Sequence, residues 1–112
     1  MKILDQKLKL EEIKQIRHKY GDYVKLTVDL EKELVIIGQE LPADAEKILL
    51  EKGGRQSNIC GVGINLKDKI VDTTAVMNLR TRLANDSMEI LDPKRREKFI
   101  KIVKKFFAEL WH

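Results

Sequence analysis

The sequence predicts an α+β fold. The expected architecture is a two-layer sandwich: a mixed or antiparallel five-stranded sheet with about three helices on one face, in the order β-α-β-β-α-β-β-α. Three observations predict it. Short apolar runs with strand character recur at residues 24–30, 34–38, 58–66 and 69–80. Apolar residues at helical spacing occupy 10–20, 43–52 and 93–111. Breakers (Gly21, Gly53-Gly54 and Pro93) fall between these stretches. A length of 112 residues fits one domain, residues 1–112. Folding a chain of that size hides roughly two-thirds of its surface, enough for a core without covalent staples.

In chain order, "KILD" (2–5) is a short strand. "LKLEEIKQIRHKYG" carries Leu10, Ile13, Ile16 and Tyr20 on one helical face and stops at Gly21. "VKLTVDL" (24–30) puts Val24, Leu26, Val28 and Leu30 on one side and Lys25, Thr27 and Asp29 on the other. "LVIIG" (34–38) is apolar on both sides and reads as a central strand, reached through the Glu31-Lys32-Glu33 turn. Pro42 suits a helix start, and "ADAEKILLEKGG" gives a short helix stopped by Gly53-Gly54.

The next pair, "NICGVGINL" and "KIVDTTAVMNLR", is a hairpin whose register can be argued. A two- or four-residue turn sets Ile64 opposite Val71, Val62 opposite Thr73 and Cys60 opposite Ala75, all on one apolar face. A three-residue turn would set Ile64 against Asp72 and mix the faces, so the first register is expected. The second face then collects Gly61, Gly63, Asn65, Asp72, Thr74, Val76, Asn78 and Arg80, mostly polar or bare, and is expected to lie open to solvent or ligand. Gly61 and Gly63 mark a bulge or a close approach inside a strand. Finally Asp92 is a good N-cap and Pro93 a good first residue for a helix running to about Trp111. Its apolar residues, including Phe99, Ile102, Val103, Phe106, Phe107 and Trp111, make a stripe wider than one sheet face needs. A homodimer contact through this helix is therefore expected.

Several classes of function are excluded or weakened. The chain carries one cysteine, so no intramolecular disulfide can form, and a reducing, cytoplasmic setting is expected. The start, "MKILDQKLKL", has no uninterrupted apolar stretch like that of a signal peptide. No apolar run approaches the roughly 20 residues that span a bilayer. Two histidines, His18 and His112, and Cys60 give no zinc spacing, so no metal is expected. Cys60, on the apolar face, reads as a small buried side chain. "CGVGIN" lacks the strand-to-helix setting and third glycine of a dinucleotide loop. No nucleophile has a base placed beside it by motif.

What remains is the join "MNLRTRLANDSMEILDP", residues 77–93, which carries far more polar chemistry than a connection requires. Arg80 and Arg82 offer planar guanidinium groups, Asn78, Asn85 and Ser87 offer shorter polar groups, and the helix beginning at Pro93 brings Lys94, Arg95 and Arg96. Guanidinium groups bind phosphate or carboxylate through two bonds at once, and helix entrances favour anions. The expectation is a pocket for a phosphate- or carboxylate-bearing ligand, lined by Asn78, Arg80, Arg82, Asn85, Ser87 and Arg96. The competing expectation is that Arg80 and Arg82 pair with Asp86, Glu89 or Asp92 and merely pin the loop. Three further readings stand beside the pocket. One is a nucleic-acid-associated protein or nuclease using the basic C-terminal helix, where residues 94–109 hold seven basic residues against two acidic and leave the rest at −1. Another is an enzyme on a small anion with Asp72, Asp86 or Glu89 as base. The last is a homodimeric interaction module without a ligand.

Two stretches carry a family resemblance: "GQELPADAEKILLEKGGRQSNICGVGINL" and "NLRTRLANDSMEILDPKRREKFIKIV". Within them the distinctive pieces are "ELPADAE" and the pattern formed by Asn78, Arg80, Asn85, Ser87, Asp92, Pro93 and Arg96. Nearly the whole chain resembles a family of small prokaryotic proteins catalogued only as a domain of unknown function. The chain departs from that pattern at Pro42, Thr81 and Ala84. The resemblance implies no activity or cofactor, but it supports residues 78–96 as the functional end.

Overall fold

Val24, Leu26 and Val28 point the same way along one strand, and most of the chain is arranged to bury that row. The computed structural model describes residues 2–38, 42–75, 78 and 89–111. Its elements are β1 (Lys2–Leu4), α1 (Leu10–Tyr20), β2 (Tyr23–Asp29), β3 (Leu34–Ile37), α2 (Pro42–Glu51), β4 (Ile59–Asn65), β5 (Ile70–Asp72) and α3 (Pro93–Phe106). Short 3-10 turns lie at Gln56–Asn58 and Ala108–Trp111. The five strands form one sheet in the order β1-β3-β2-β4-β5, with each neighbouring pair antiparallel. The class, the antiparallel five-stranded sheet and the order of elements are those the sequence predicts.

Local chemistry sets the ends of the elements. Gly21 takes φ 90° and its N–H closes α1 onto the Arg17 carbonyl at 2.8 Å. At the end of α2, Gly54 N–H reaches the Leu49 carbonyl (2.9 Å) and Gly53, at φ 87°, donates to Leu50 (3.0 Å), a Schellman stop. Asp92 caps α3 by accepting from Lys94 N–H at 2.9 Å, and Pro93 follows as the first helical residue. Both strand turns use a side chain at the end of a strand. Asp29 Oδ1 accepts from Glu31 and Lys32 N–H at 3.0 Å each, and Asn65 Oδ1 accepts from Lys67 (3.1 Å) and Asp68 (2.9 Å).

The larger core lies on the face of Val24, Leu26 and Val28. Val35, Ile37, Cys60, Val62 and Ile64 extend it, and α1 (Ile13, Ile16) and α3 (Phe99, Ile102, Val103, Phe106) cover it. A second core lies on the opposite face, where Ile36 and Ile59 meet Ala45 and Leu49 of α2. The expectation of one helical layer is corrected here, because α2 makes a third layer. Burying this second face also hides Thr27 and Asp29, each 0% exposed, which alternation alone assigns to solvent.

Two boundaries also move. The β4–β5 hairpin has a four-residue turn and pairs Ile64 with Val71, the expected register. The ladder stops at Asp72, however, so the expected pairs Val62–Thr73 and Cys60–Ala75 do not form and no strand runs on through residues 73–75; Thr74 forms an isolated bridge to Glu89. The last α-helix ends at Phe106, and Phe107 leaves helical geometry at φ −104°, ψ 26° before the final 3-10 turn. Phe106 and Phe107 are enclosed within the chain itself, while Trp111 is 38% exposed.

Candidate functional site

The segment between β5 and α3 is closed at its neck by Thr73, Asn78 and Glu89. Thr73 is buried, its carbonyl accepts from Asn78 Nδ2 at 3.0 Å, and its hydroxyl donates to Glu89 Oε1 in a short bond. Thr74 adds a second hydroxyl bond to Glu89 Oε2 at 3.2 Å, and Glu89 Oε1 also accepts from Ile90 N–H at 2.9 Å. Residues 74 and 89 are thereby held side by side.

Asn78 explains why β5 can stop early. Its side chain accepts from Gly61 N–H at 2.8 Å and donates to the Gly61 carbonyl at 3.0 Å. A carboxamide has the donor and acceptor of a peptide group, so Asn78 takes the place a neighbouring strand would occupy along β4. With its second hydrogen on Thr73, both amide hydrogens are engaged, and the residue is 3% exposed. Among the residues expected to line the pocket, Asn78 thus anchors the loop.

Arg96 stands at the other side of the neck, half-buried, donating through Nη1 to the Ile90 carbonyl at 3.4 Å. It has no carboxylate partner among the described residues. Arg80, Arg82, Asn85 and Ser87 lie outside the described residues, as does Asp86. The entrance of α3 is partly occupied by its own cap. Pro93 has no N–H, Lys94 donates to the Asp92 carboxylate, and Arg96 N–H goes to the Asp92 carbonyl at 2.9 Å.

Arg95 turns the opposite way. Its guanidinium bonds the Ser57 carbonyl, lies 3.9 Å from Cys60 Sγ and stacks over Phe99 with its centre 5.8 Å from the ring centroid. That contact ties α3 to the start of β4, and Cys60 is buried as expected.

Of the general-base candidates, Glu89 holds the neck, and Asp72 has two partners. Tyr23 donates to Asp72 Oδ2 at 3.0 Å, and Thr74 N–H donates to Oδ1 at 2.9 Å. The Tyr23 ring covers Gly63, where a Cβ would overlap the phenol. Burial, then the bond to Asp72 and the Asp72 charge, push the Tyr23 hydroxyl up to about 12 from its ordinary 10.0. Sequence reasoning gives no site role to Thr73 or Tyr23, and it groups Arg95 with the basic residues at the pocket, whereas the guanidinium packs on β4 and Phe99. A signal for Tyr23 was present: Gly63 sits mid-strand and pairs with Lys25, which puts Tyr23 on the same face, and an aromatic ring over a bare strand glycine is a recurring arrangement.

Among the described residues, no group of three or more His, Cys, Asp or Glu is placed to hold a metal, and no helix is long and apolar enough to cross a membrane. No curated protein and no solved structure matches the chain. The model of the family described as protein of unknown function (DUF5674) matches residues 2–106, nearly the full sequence, and the chain belongs to that family.

Proposed function

We propose that the protein binds a small phosphate- or carboxylate-bearing ligand at the 78–96 loop, through the guanidinium groups of Arg80, Arg82 and Arg96, with Asn85 and Ser87 as shorter donors. The observation that carries this reading is Arg96: a half-buried cation at the loop's neck with one long bond to a carbonyl and no carboxylate partner among the described residues. A partly desolvated charge of that kind is stabilised by an anion brought to it. The neck built by Thr73, Asn78 and Glu89 supports the reading further, because it fixes both ends of the Arg-bearing segment and lowers the ordering cost of binding. Asp92 caps the entrance of α3 through Lys94 N–H, so the guanidinium side chains are the main groups to meet the ligand's charge. Asn78 serves as the loop's anchor.

Thermal unfolding in inorganic phosphate, against chloride of matched ionic strength, tests this. Ligand at ten times its Kd stabilises by about 1.4 kcal/mol, a rise in Tm of about 4–6 °C for a domain this size. The Arg80→Ala/Arg82→Ala variant is expected to keep the parent's Tm in chloride and lose the phosphate response. A parent indifferent to phosphate and to small carboxylates, or a variant already unstable in chloride, overturns the reading.

A further inference from the structure

The three α-helices among the described residues treat charge differently. α1 has Glu11 and Glu12 against Lys14, Arg17 and Lys19, and α2 has Asp44, Glu46 and Glu51 against Lys47, so both mix signs. α3 has seven basic residues and Glu97 alone against them, a net +6, so the rest of the chain sums to −2. Lys94, Lys98, Lys101, Lys104 and Lys105 are all exposed. Lys94, Lys98, Lys101 and Lys105 follow one another at steps of four, three and four along one side, a stripe about 16 Å long. Lys101 pairs with Glu97 at 3.5 Å and Lys105 with Glu33 at 3.2 Å, both well exposed to solvent. Exposed pairs of that sort contribute little and yield readily to a stronger anion. Lys94 and Lys98 have no carboxylate partner among the described residues.

From this asymmetry we infer that the outward face of α3 docks on a nucleic-acid backbone, without reading sequence. Two other anionic partners fit the surface less well. A membrane-surface helix inserts its apolar side into the lipid boundary, but Phe99, Ile102, Val103 and Phe106 are all held in the protein's own core. A protein interface needs a desolvated apolar or aromatic centre, and the stripe is lysine and glutamate throughout. A phosphate backbone needs only spaced positive charge, which the stripe supplies. No asparagine, glutamine or outward arginine stands on it to recognise a base edge, hence the absence of sequence preference. This surface is separate from the proposed pocket, and either can fail without the other.

The test is fluorescence anisotropy of a short labelled DNA duplex of mixed sequence, titrated with the full chain at several salt concentrations. Four phosphates neutralised give a slope of about −3.6 in log affinity against log salt, so affinity falls about a hundredfold between 50 and 200 mM. Lys98→Glu/Lys101→Glu is expected to lose at least tenfold in affinity at low salt while keeping the parent's circular dichroism and Tm. Lys14→Glu/Lys47→Glu, with the same change in net charge on α1 and α2, is expected to bind as the parent does. An equal loss in both variants, a salt slope near zero, or tighter capture by phosphatidylserine vesicles or polyglutamate than by duplex overturns the inference.

Discussion

Replacing Asn78 with alanine removes the group that stands in for a sixth strand segment beside β4. Three backbone groups lose their partner: Gly61 N–H, the Gly61 carbonyl and the Thr73 carbonyl. Each buried, unpaired group costs about 1–3 kcal/mol, carbonyls toward the lower end, so a total of about 3–5 kcal/mol is expected. That is a large part of the roughly 5–15 kcal/mol that holds a domain together. Asn78→Asp is the sharper variant. It keeps an acceptor for Gly61 N–H but turns an oxygen toward two carbonyls, so it should cost at least as much as alanine. Urea unfolding followed by circular dichroism measures both, and with a slope of about 1–2 kcal/mol per molar the midpoint should fall by about 1.5–5 M. Amide exchange at Gly61 should accelerate in step. If either variant unfolds within about 1 kcal/mol of the parent, the carboxamide does not hold the neck, and the account of why β5 ends at Asp72 is wrong.

Gly54→Ala should destabilise by about 2–3 kcal/mol in the same assay, because its Cβ would lie 2.8 Å from the Leu49 carbonyl and overlap Asp29, leaving backbone that cannot move aside cheaply; a neutral substitution contradicts the packing of α2 on the second face. Asp29→Ala should cost about 2–3 kcal/mol by releasing Glu31 and Lys32 N–H, whereas Asp29→Asn keeps that acceptor and places an amide where Oδ2 has no partner among the described residues, so it should stay near the parent. Tyr23 holds its proton more tightly folded than unfolded, so its contribution to stability is complete below pH 10.0 and is lost as pH rises through about 12. In Asp72→Asn, tyrosinate absorbance should show the Tyr23 hydroxyl ionising at lower pH but still above 10.0, since burial is the larger cause; ionisation of the parent's Tyr23 at 10.0 contradicts the contact.

Much of the fold is legible because its signals are local. Gly21, Gly53-Gly54 and Asp92-Pro93 stop and start helices through backbone freedom and hydrogen-bonding groups that act within a few residues. The hairpin register is legible because a slip would turn Ile64 toward Asp72. What the sequence hides is long-range. Val71, Thr73 and Ala75 continue an alternating pattern, and nothing nearby says that a carboxamide at position 78 will take over the edge of β4. The second core was half visible in Leu34, Val35, Ile36 and Ile37, apolar on both sides, but Thr27 and Asp29 look like a solvent face until α2 is laid over them. At the site, the basic and polar character of 78–96 is plain in the sequence. The division of labour is not plain, because whether Asn78 faces a ligand or its own backbone depends on where Gly61 lies.

The central claim is that guanidinium groups around this neck share one anion. Arginine side-chain NMR, following Nε–Hε resonances as inorganic phosphate is added at constant ionic strength, addresses it residue by residue. Arg80, Arg82 and Arg96 should shift together and saturate on a single binding curve, while Arg17, already paired with Asp22 at 2.7 Å, stays still. Shifts that are equal for all arginines, or that never saturate, would mean that phosphate meets only the protein's general charge and that no anion site exists at the loop.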